Sequence, residues 1–158
     1  MGLTELSVAL GDKAIAGEPL SRHTTFGIGG PADLFVVAHA LPELCHYVRL
    51  AWEHGVPYFI LGNGANLLVS DKGIRGLVIH NQCRAVQIMP GEEEQTALVI
   101  AESGAELRTV ARQAIAQGLA GLEWAVDVPG TVGGAVVGNA GAYGGYVSDS
   151  LRGVAVFS

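Results

Sequence analysis

The sequence predicts an α+β fold of short strands, two amphipathic helices and unusually long glycine-rich loops. Short apolar runs of strand length alternate with two helix-length segments whose apolar residues recur every three or four positions. Turn residues separate these segments. Two loops concentrate glycine. One is LGNGANL at residues 61–67; the other is PGTVGGAVVGNAGAYGG at residues 129–145, where seven of seventeen residues are Gly.

The elements follow in chain order. Residues 33–38 (DLFVVA) are apolar with few breaks and read as a buried strand. Residues 42–53 read as a helix: Pro42 suits its first turn, Leu44, Val48, Ala51 and Trp52 line one face, and Gly55 stops it. Residues 57–61 (PYFIL) form the next strand, followed by the GNGAN loop, the apolar run Leu67, Leu68, Val69 and a turn at residues 70–73. Residues 77–80 (LVIH) are another strand. Residues 86–89 and 96–101 read as a hairpin around the acidic turn at 90–94. Residues 106–117 read as a second helix with Leu107, Val110, Ala111, Ala114 and Ile115 inward, closed by Gly118. A strand is expected to begin at residues 154–157.

Composition narrows the function. At 158 residues, 49% hydrophobic and 15% charged, the chain has the makings of one well-buried domain, with two lobes at most. No run approaches the roughly 20 apolar residues of a membrane span, and the N-terminus lacks a secretory pattern. Two cysteines, Cys45 and Cys83, make no disulfide framework, so a reducing cytoplasm is expected. A net charge of −6 argues against nucleic acid or an anionic membrane as partner. The same acidity means that any bound phosphate must be held mostly by backbone N–H groups.

The glycine loops point to a large, flat, phosphate-bearing ligand. Glycine costs backbone entropy on folding, so a cluster of seven needs a reason. No G-x-x-x-x-G-K-[ST] is present, which removes a P-loop. Residues 62–67 match only half of G-x-G-x-x-G, and LLVSDKG after them reads as strand and turn where a dinucleotide fingerprint needs a helix. What remains is a nest of exposed N–H groups able to hold a pyrophosphate, with Asn63 and Asn66 suited to unusual backbone angles, or else a plain Gly-Asn hairpin turn. In the longer segment Gly130, Gly133, Gly134 and Gly138 allow a planar ring such as an isoalloxazine to approach the backbone, unless they mark a close crossing of two elements. Thr131 adds a hydroxyl, Asn139 a wall group and Tyr143 a stacking rim.

Other residues have simpler readings. Five histidines (His23, His39, His46, His54 and His80) show no compact metal-ligand spacing; His23 alone is kept as a cofactor-proximal group. Trp52 and Cys45 read as core, Cys83 has no functional reading, and Glu92, Glu93 and Glu94 read as a solvated turn.

Three blocks, in this order, resemble UDP-N-acetylenolpyruvoylglucosamine reductases, the MurB family. They are RHTTF with IGGPA at residues 22–32, LGNGANLLV with GIRGLVI at residues 61–79, and GLEW followed by PGTVGGAVVGNAGAYGG from residue 121 to 145. The resemblance implies a two-lobed FAD-binding domain of the vanillyl-alcohol-oxidase-like (PCMH) type over residues 21–158, after a lead-in at 1–20. It implies non-covalent FAD, NADPH as reductant, a UDP-sugar substrate and a cytoplasmic place in peptidoglycan precursor synthesis. Leu61, Gly62, Asn63, Gly64, Ala65, Asn66 and Leu67 would hold the pyrophosphate. Pro129, Gly130, Thr131, Gly133, Gly134 and Ala135 would line the flavin, with Asn139 and Tyr143 near the ring and the substrate entrance.

The resemblance also implies an arginine in F-x-Y-R-x-S, a serine acid and a glutamate. No such motif occurs here, and neither Arg152 nor Ser158 fits it. The expectation is therefore a flavin-binding part without the substrate domain, able to bind FAD but not to turn over alone. Gly27, Asp127 and Tyr146 depart from the family's usual residues; Asp127 is unfavourable near a bound anion. Another FAD oxidoreductase of the same class, or a flavin module served by a partner chain, are the alternative readings.

Overall fold

A computed structural model describes residues 2–93 and 95–157; Glu94 of the acidic turn and Ser158 lie outside the described residues. The chain divides into two compact units, Met1–Cys83 and Arg84–Ser158.

The first unit is built on a four-stranded sheet. Its strands are β1 (Ile15–Ala16), β2 (Ala32–Ala38), β3 (Tyr58–Leu61) and β4 (Ile74–Asn81), in the order β1-β2-β4-β3. β4 lies parallel to both β2 and β3, while β1 is antiparallel to β2. Parallel strands buried on both faces read as unbroken apolar runs, which is why DLFVVA and GLVIH lack a polar face. One sheet face carries Leu34, Val36, Leu77 and Ile79 and packs against helices α1 (Leu3–Leu10) and α2 (Leu41–Glu53). The other carries Phe35 and Val78 and packs with Leu20 of the N-terminal segment, Leu61 at the end of β3 and Val69 of the following loop. The glycine loop after β3 therefore lies over a packed sheet face. Residues 1–20, set apart in the sequence as a lead-in, supply fully buried Leu6 and Leu20 to these two cores.

In the second unit β5 (Val86–Pro90) and β6 (Ala97–Ala101) form the expected antiparallel hairpin. Helix α3 (Leu107–Ala116) follows, closed by Gly118 at φ 75°. The core gathers Leu107, Ala111, Trp124, Ala125 and Ala135. The glycine-rich segment is more ordered than the sequence suggests. It folds into α4 (Val132–Val137), a tight hairpin of β7 (Gly141–Ala142) and β8 (Gly145–Tyr146), and α5 (Val147–Ser150). The two hairpin turn residues, Tyr143 and Gly144, have φ of 53° and 85°, the left-handed pair that a two-residue turn requires. Residues 154–157 form no strand, contrary to expectation.

Two expected core residues are on the surface. Trp52 is 72% exposed and Ile115 40%. Both helices have the same cause. Each buried stripe follows positions i, i+3, i+4 and i+7: Leu44, Tyr47, Val48 and Ala51 in α2, and Leu107, Val110, Ala111 and Ala114 in α3. At about 100° per residue, Trp52 and Ile115 fall about 90° from the centre of that stripe. Tyr47, missed as a core residue, takes the side of α2 opposite Trp52. Cys45 is only half-buried for the same reason, while Cys83 is fully buried against the Ala38 carbonyl.

Candidate cofactor site

The two candidate loops lie in different units, so each is built up separately.

In the first unit, Leu61 ends β3 as a buried residue, and Gly62 and Asn63 carry the chain off the sheet. Gly64 is buried at φ 65°, and a Cβ there would overlap the His23 carbonyl oxygen. Its own carbonyl accepts from the Thr25 N–H at 3.1 Å. Gly64 is thus required by the chain's own backbone, with residues 23–25 lying directly on it. Beyond it Ala65 and Leu67 are half-buried and Asn66 is exposed. Among the described residues, the backbone N–H groups of Asn63, Gly64, Ala65 and Asn66 donate to no other backbone group. Four consecutive N–H groups without a backbone acceptor are candidate donors to an anion.

A strap over residues 18–31 holds this loop. Its ends are joined by a bridge between Pro19 and Pro31, and by Leu20 N–H to Gly30 carbonyl (3.1 Å) and Ala32 N–H to Glu18 carbonyl (2.9 Å). Gly29 lies against Val69, and Gly30 against the backbone of Asp71 and Gly73. The RHTTF and IGG strings are therefore the clamp on the glycine loop. Thr24 is buried and its hydroxyl donates to the Ile28 carbonyl at 2.8 Å. The His23 ring stacks on Phe35 (centroids 4.5 Å apart), meets His80 edge-on (5.4 Å), and its Nε2 lies 2.9 Å from Glu18 Oε1. Glu18 is also 3.7 Å from Arg22.

In the second unit, Pro129 is exposed and Gly130 takes φ 125°. Buried Thr131 caps α4, its Oγ1 accepting from Gly134 N–H at 3.4 Å. The glycines divide by role. Gly133 rests on the Ser103 backbone and donates its N–H to the Ser103 carbonyl at 2.8 Å. Gly141 lies under the Tyr146 ring and Gly145 under Trp124. These serve internal packing. Gly134 and Gly138 differ. Both are exposed, have ordinary backbone angles, and would place a Cβ no nearer than 3.4 Å to any atom. Nothing within the unit demands glycine at these two positions, and they leave bare backbone facing out. Ala135 is buried beneath them.

Asn139, at φ 43°, is exposed and accepts the Ser148 N–H on its Oδ1 at 3.0 Å. Tyr143 is 87% exposed at the hairpin tip. Asp127, unfavourable beside an anion, is exposed and lies 3.6 Å from Arg112, which offsets its charge. The Trp124 Nε1 is buried without a hydrogen-bond partner. Among the described residues no cluster of three His, Cys, Asp or Glu can hold a metal ion, and no helix is long and apolar enough to cross a membrane.

Residues 32–158 match the family described as FAD binding domain, and the chain belongs to it. It is 44% identical over 144 residues to the UDP-N-acetylenolpyruvoylglucosamine reductase of Caldanaerobacter subterraneus subsp. tengcongensis, a match covering 91% of this chain and 46% of that protein. The crystal structure of UDP-N-acetylenolpyruvylglucosamine reductase (MurB) from Thermus caldophilus superposes with a TM-score of 0.61 at 33% identity, over 84% of this chain and 44% of that one. An alkyldihydroxyacetonephosphate synthase shares the fold with a TM-score of 0.63 at 21% identity, over 92% of this chain and 32% of its own. The chain spans less than half the length of the curated relatives it matches. The fold is thus the α+β FAD-binding type of the vanillyl-alcohol-oxidase-like class, and the chain is similar to the FAD-binding part of the reductase.

The residues present fit FAD. Free N–H groups at 63–66 match a pyrophosphate, and the open strip at Gly134 and Gly138 matches the flat face of a ring.

Proposed function

We propose that this chain is the FAD-binding part of a cytoplasmic, NADPH-dependent reductase that converts UDP-N-acetylglucosamine enolpyruvate to UDP-N-acetylmuramate in peptidoglycan precursor synthesis. The observation that carries this reading is the similarity, 44% over 144 residues, to a relative named for that substrate. Bound FAD would supply the hydride-transfer chemistry that such a reduction needs.

The chain's own residues bind and orient. Backbone donors of Asn63, Gly64, Ala65 and Asn66 hold the pyrophosphate, with Leu61 and Leu67 anchoring the loop to the sheet face. Pro129, Gly130, Thr131, Gly133, Gly134 and Ala135 shape the flavin wall. In it Thr131 and Gly133 fix the backbone, and Gly134 supplies the bare surface. Asn139 and Tyr143 stand at the rim, where the Asn139 amide and the Tyr143 ring meet the substrate side. An acidic chain with few cations suits a site that relies on backbone dipoles. The F-x-Y-R-x-S motif does not occur within these 158 residues. The 158-residue chain is therefore expected to accept hydride but not to complete turnover.

Anaerobic NADPH added to the FAD-loaded chain tests this. Bleaching of the flavin band, without reoxidation on adding the enolpyruvyl UDP-sugar, is the expected result. A chain that holds FAD and oxidises NADPH only in the presence of some other acceptor would assign it to a different reductase of the same fold.

A further inference from the structure

We infer that the Glu18–His23 pair is a positioning pair for the anion-binding loop at residues 61–67, a role that rests on the flavin reading above. Four observations place it there. First, the pair ties the two ends of the strap's first limb: Glu18 stands at its start and His23 near its turn, five residues on, with Nε2 to Oε1 at 2.9 Å. Second, the imidazole is wedged, stacked on Phe35 of the sheet and met edge-on by His80, so the bond to Glu18 sets the ring's tilt on a fixed platform. Phe35 itself is only 2% exposed and packs within the sheet core.

Third, the backbone of the same residue is what the glycine loop rests on. The His23 carbonyl and Thr24 Cα fill the space where a Gly64 side chain would be, and Thr25 N–H bonds the Gly64 carbonyl at 3.1 Å. The Glu18 bond and the Phe35 stack hold the His23 side chain in place, and through its Cα they restrain the carbonyl against which Gly64 sits. Fourth, neither side chain is needed to close the strap. That closure is made by backbone bonds at Leu20, Ser21 and Ala32. The strap therefore stays folded without the pair, and what the pair adds is a restraint on its tip.

His23 touches no part of the anion nest with its ring. It acts through the backbone it carries, and its effect is on where the donors point. A loss of one such tie, partly buried and to a charged acceptor, weakens binding by about tenfold.

The test uses the purified chain with FAD as the probe, read by quenching of flavin fluorescence. It is combined with residue-resolved amide exchange on the FAD-free chain. His23→Phe keeps the stack and loses the bond; Glu18→Ala loses the bond from the other side; His23→Gln keeps a donor at the Nε2 position. The expected result is about tenfold weaker FAD binding for H23F and E18A, faster exchange at the Thr25 amide in both, and H23Q within about threefold of wild type. The inference is overturned if H23F and E18A bind FAD as wild type does, or if H23Q is as weak as H23F. It is likewise overturned if affinity falls with Thr25 protection unchanged. A wild-type chain that binds no FAD overturns the flavin reading and this inference together, whereas unaffected variants of a FAD-binding chain overturn the inference alone.

Discussion

Gly64 and Gly134 are glycines for opposite reasons, and substitution separates them. At Gly64, φ is 65° and a Cβ would meet the His23 carbonyl oxygen and Thr24 Cα. Gly64→Ala must displace the strap, and we expect it to cost about 3 kcal/mol or more and to abolish flavin binding. At Gly134, inside α4, the nearest atom to a Cβ is Thr131 Oγ1 at 3.5 Å, an ordinary contact. Alanine is better than glycine in a helix by about 0.5–1 kcal/mol, so Gly134→Ala is expected to raise the unfolding midpoint of the FAD-free chain while weakening FAD binding. Thermal melts of both variants with and without FAD check this. A Gly134→Ala chain that is more stable and binds FAD unchanged would remove Gly134 from the flavin wall. At this scale the sequence was half legible. Glycine clustering marked the candidate segments, but not which glycines serve internal packing, because that depends on distant partners: Ser103 for Gly133, Trp124 for Gly145 and His23 for Gly64.

Helix α2 is tied at its start by Glu43, which accepts the His39 N–H at 2.9 Å and pairs with Lys13 at 3.1 Å. The His39 N–H first, and then Lys13, hold the Glu43 carboxyl below its ordinary range. A carboxyl lowered in the folded state stabilises it at pH values above its unfolded pKa, and the contribution disappears as pH falls through the folded value. Glu43→Gln is therefore expected to cost about 0.5 kcal/mol at neutral pH, since the pair is solvent-accessible, and to become neutral at the acid end. Urea melts at pH 7 and at acid pH read the difference. Element boundaries were legible where periodicity was strong, as in α2, α3 and the β5–β6 hairpin. The helix α4 was not, because three of the residues from 131 to 138 beside its cap are glycines, which local propensity assigns to a loop. Tertiary contacts override it: Val132 and Gly133 N–H groups bond the 103–105 backbone, and Thr131 caps the turn. The flank positions Trp52 and Ile115 were misplaced inward because an apolar residue four positions after a core residue fits the pattern as well as one three positions after it.

For the whole molecule, two separately packed units each contribute one candidate surface, a nest of backbone donors in the first and a strip of bare backbone in the second. The class of the fold was legible because both surfaces are written in contiguous strings. The strap was not, since its partnership with the loop some forty residues away is a tertiary fact. The central claim is that the chain binds FAD. The most direct measurement is the visible absorption spectrum of the purified chain after mixing with FAD and desalting, with a far-UV circular dichroism spectrum on the same sample. A flavin band retained at about one FAD per chain, with a folded far-UV spectrum, is the predicted result. A folded chain that emerges colourless would contradict the account.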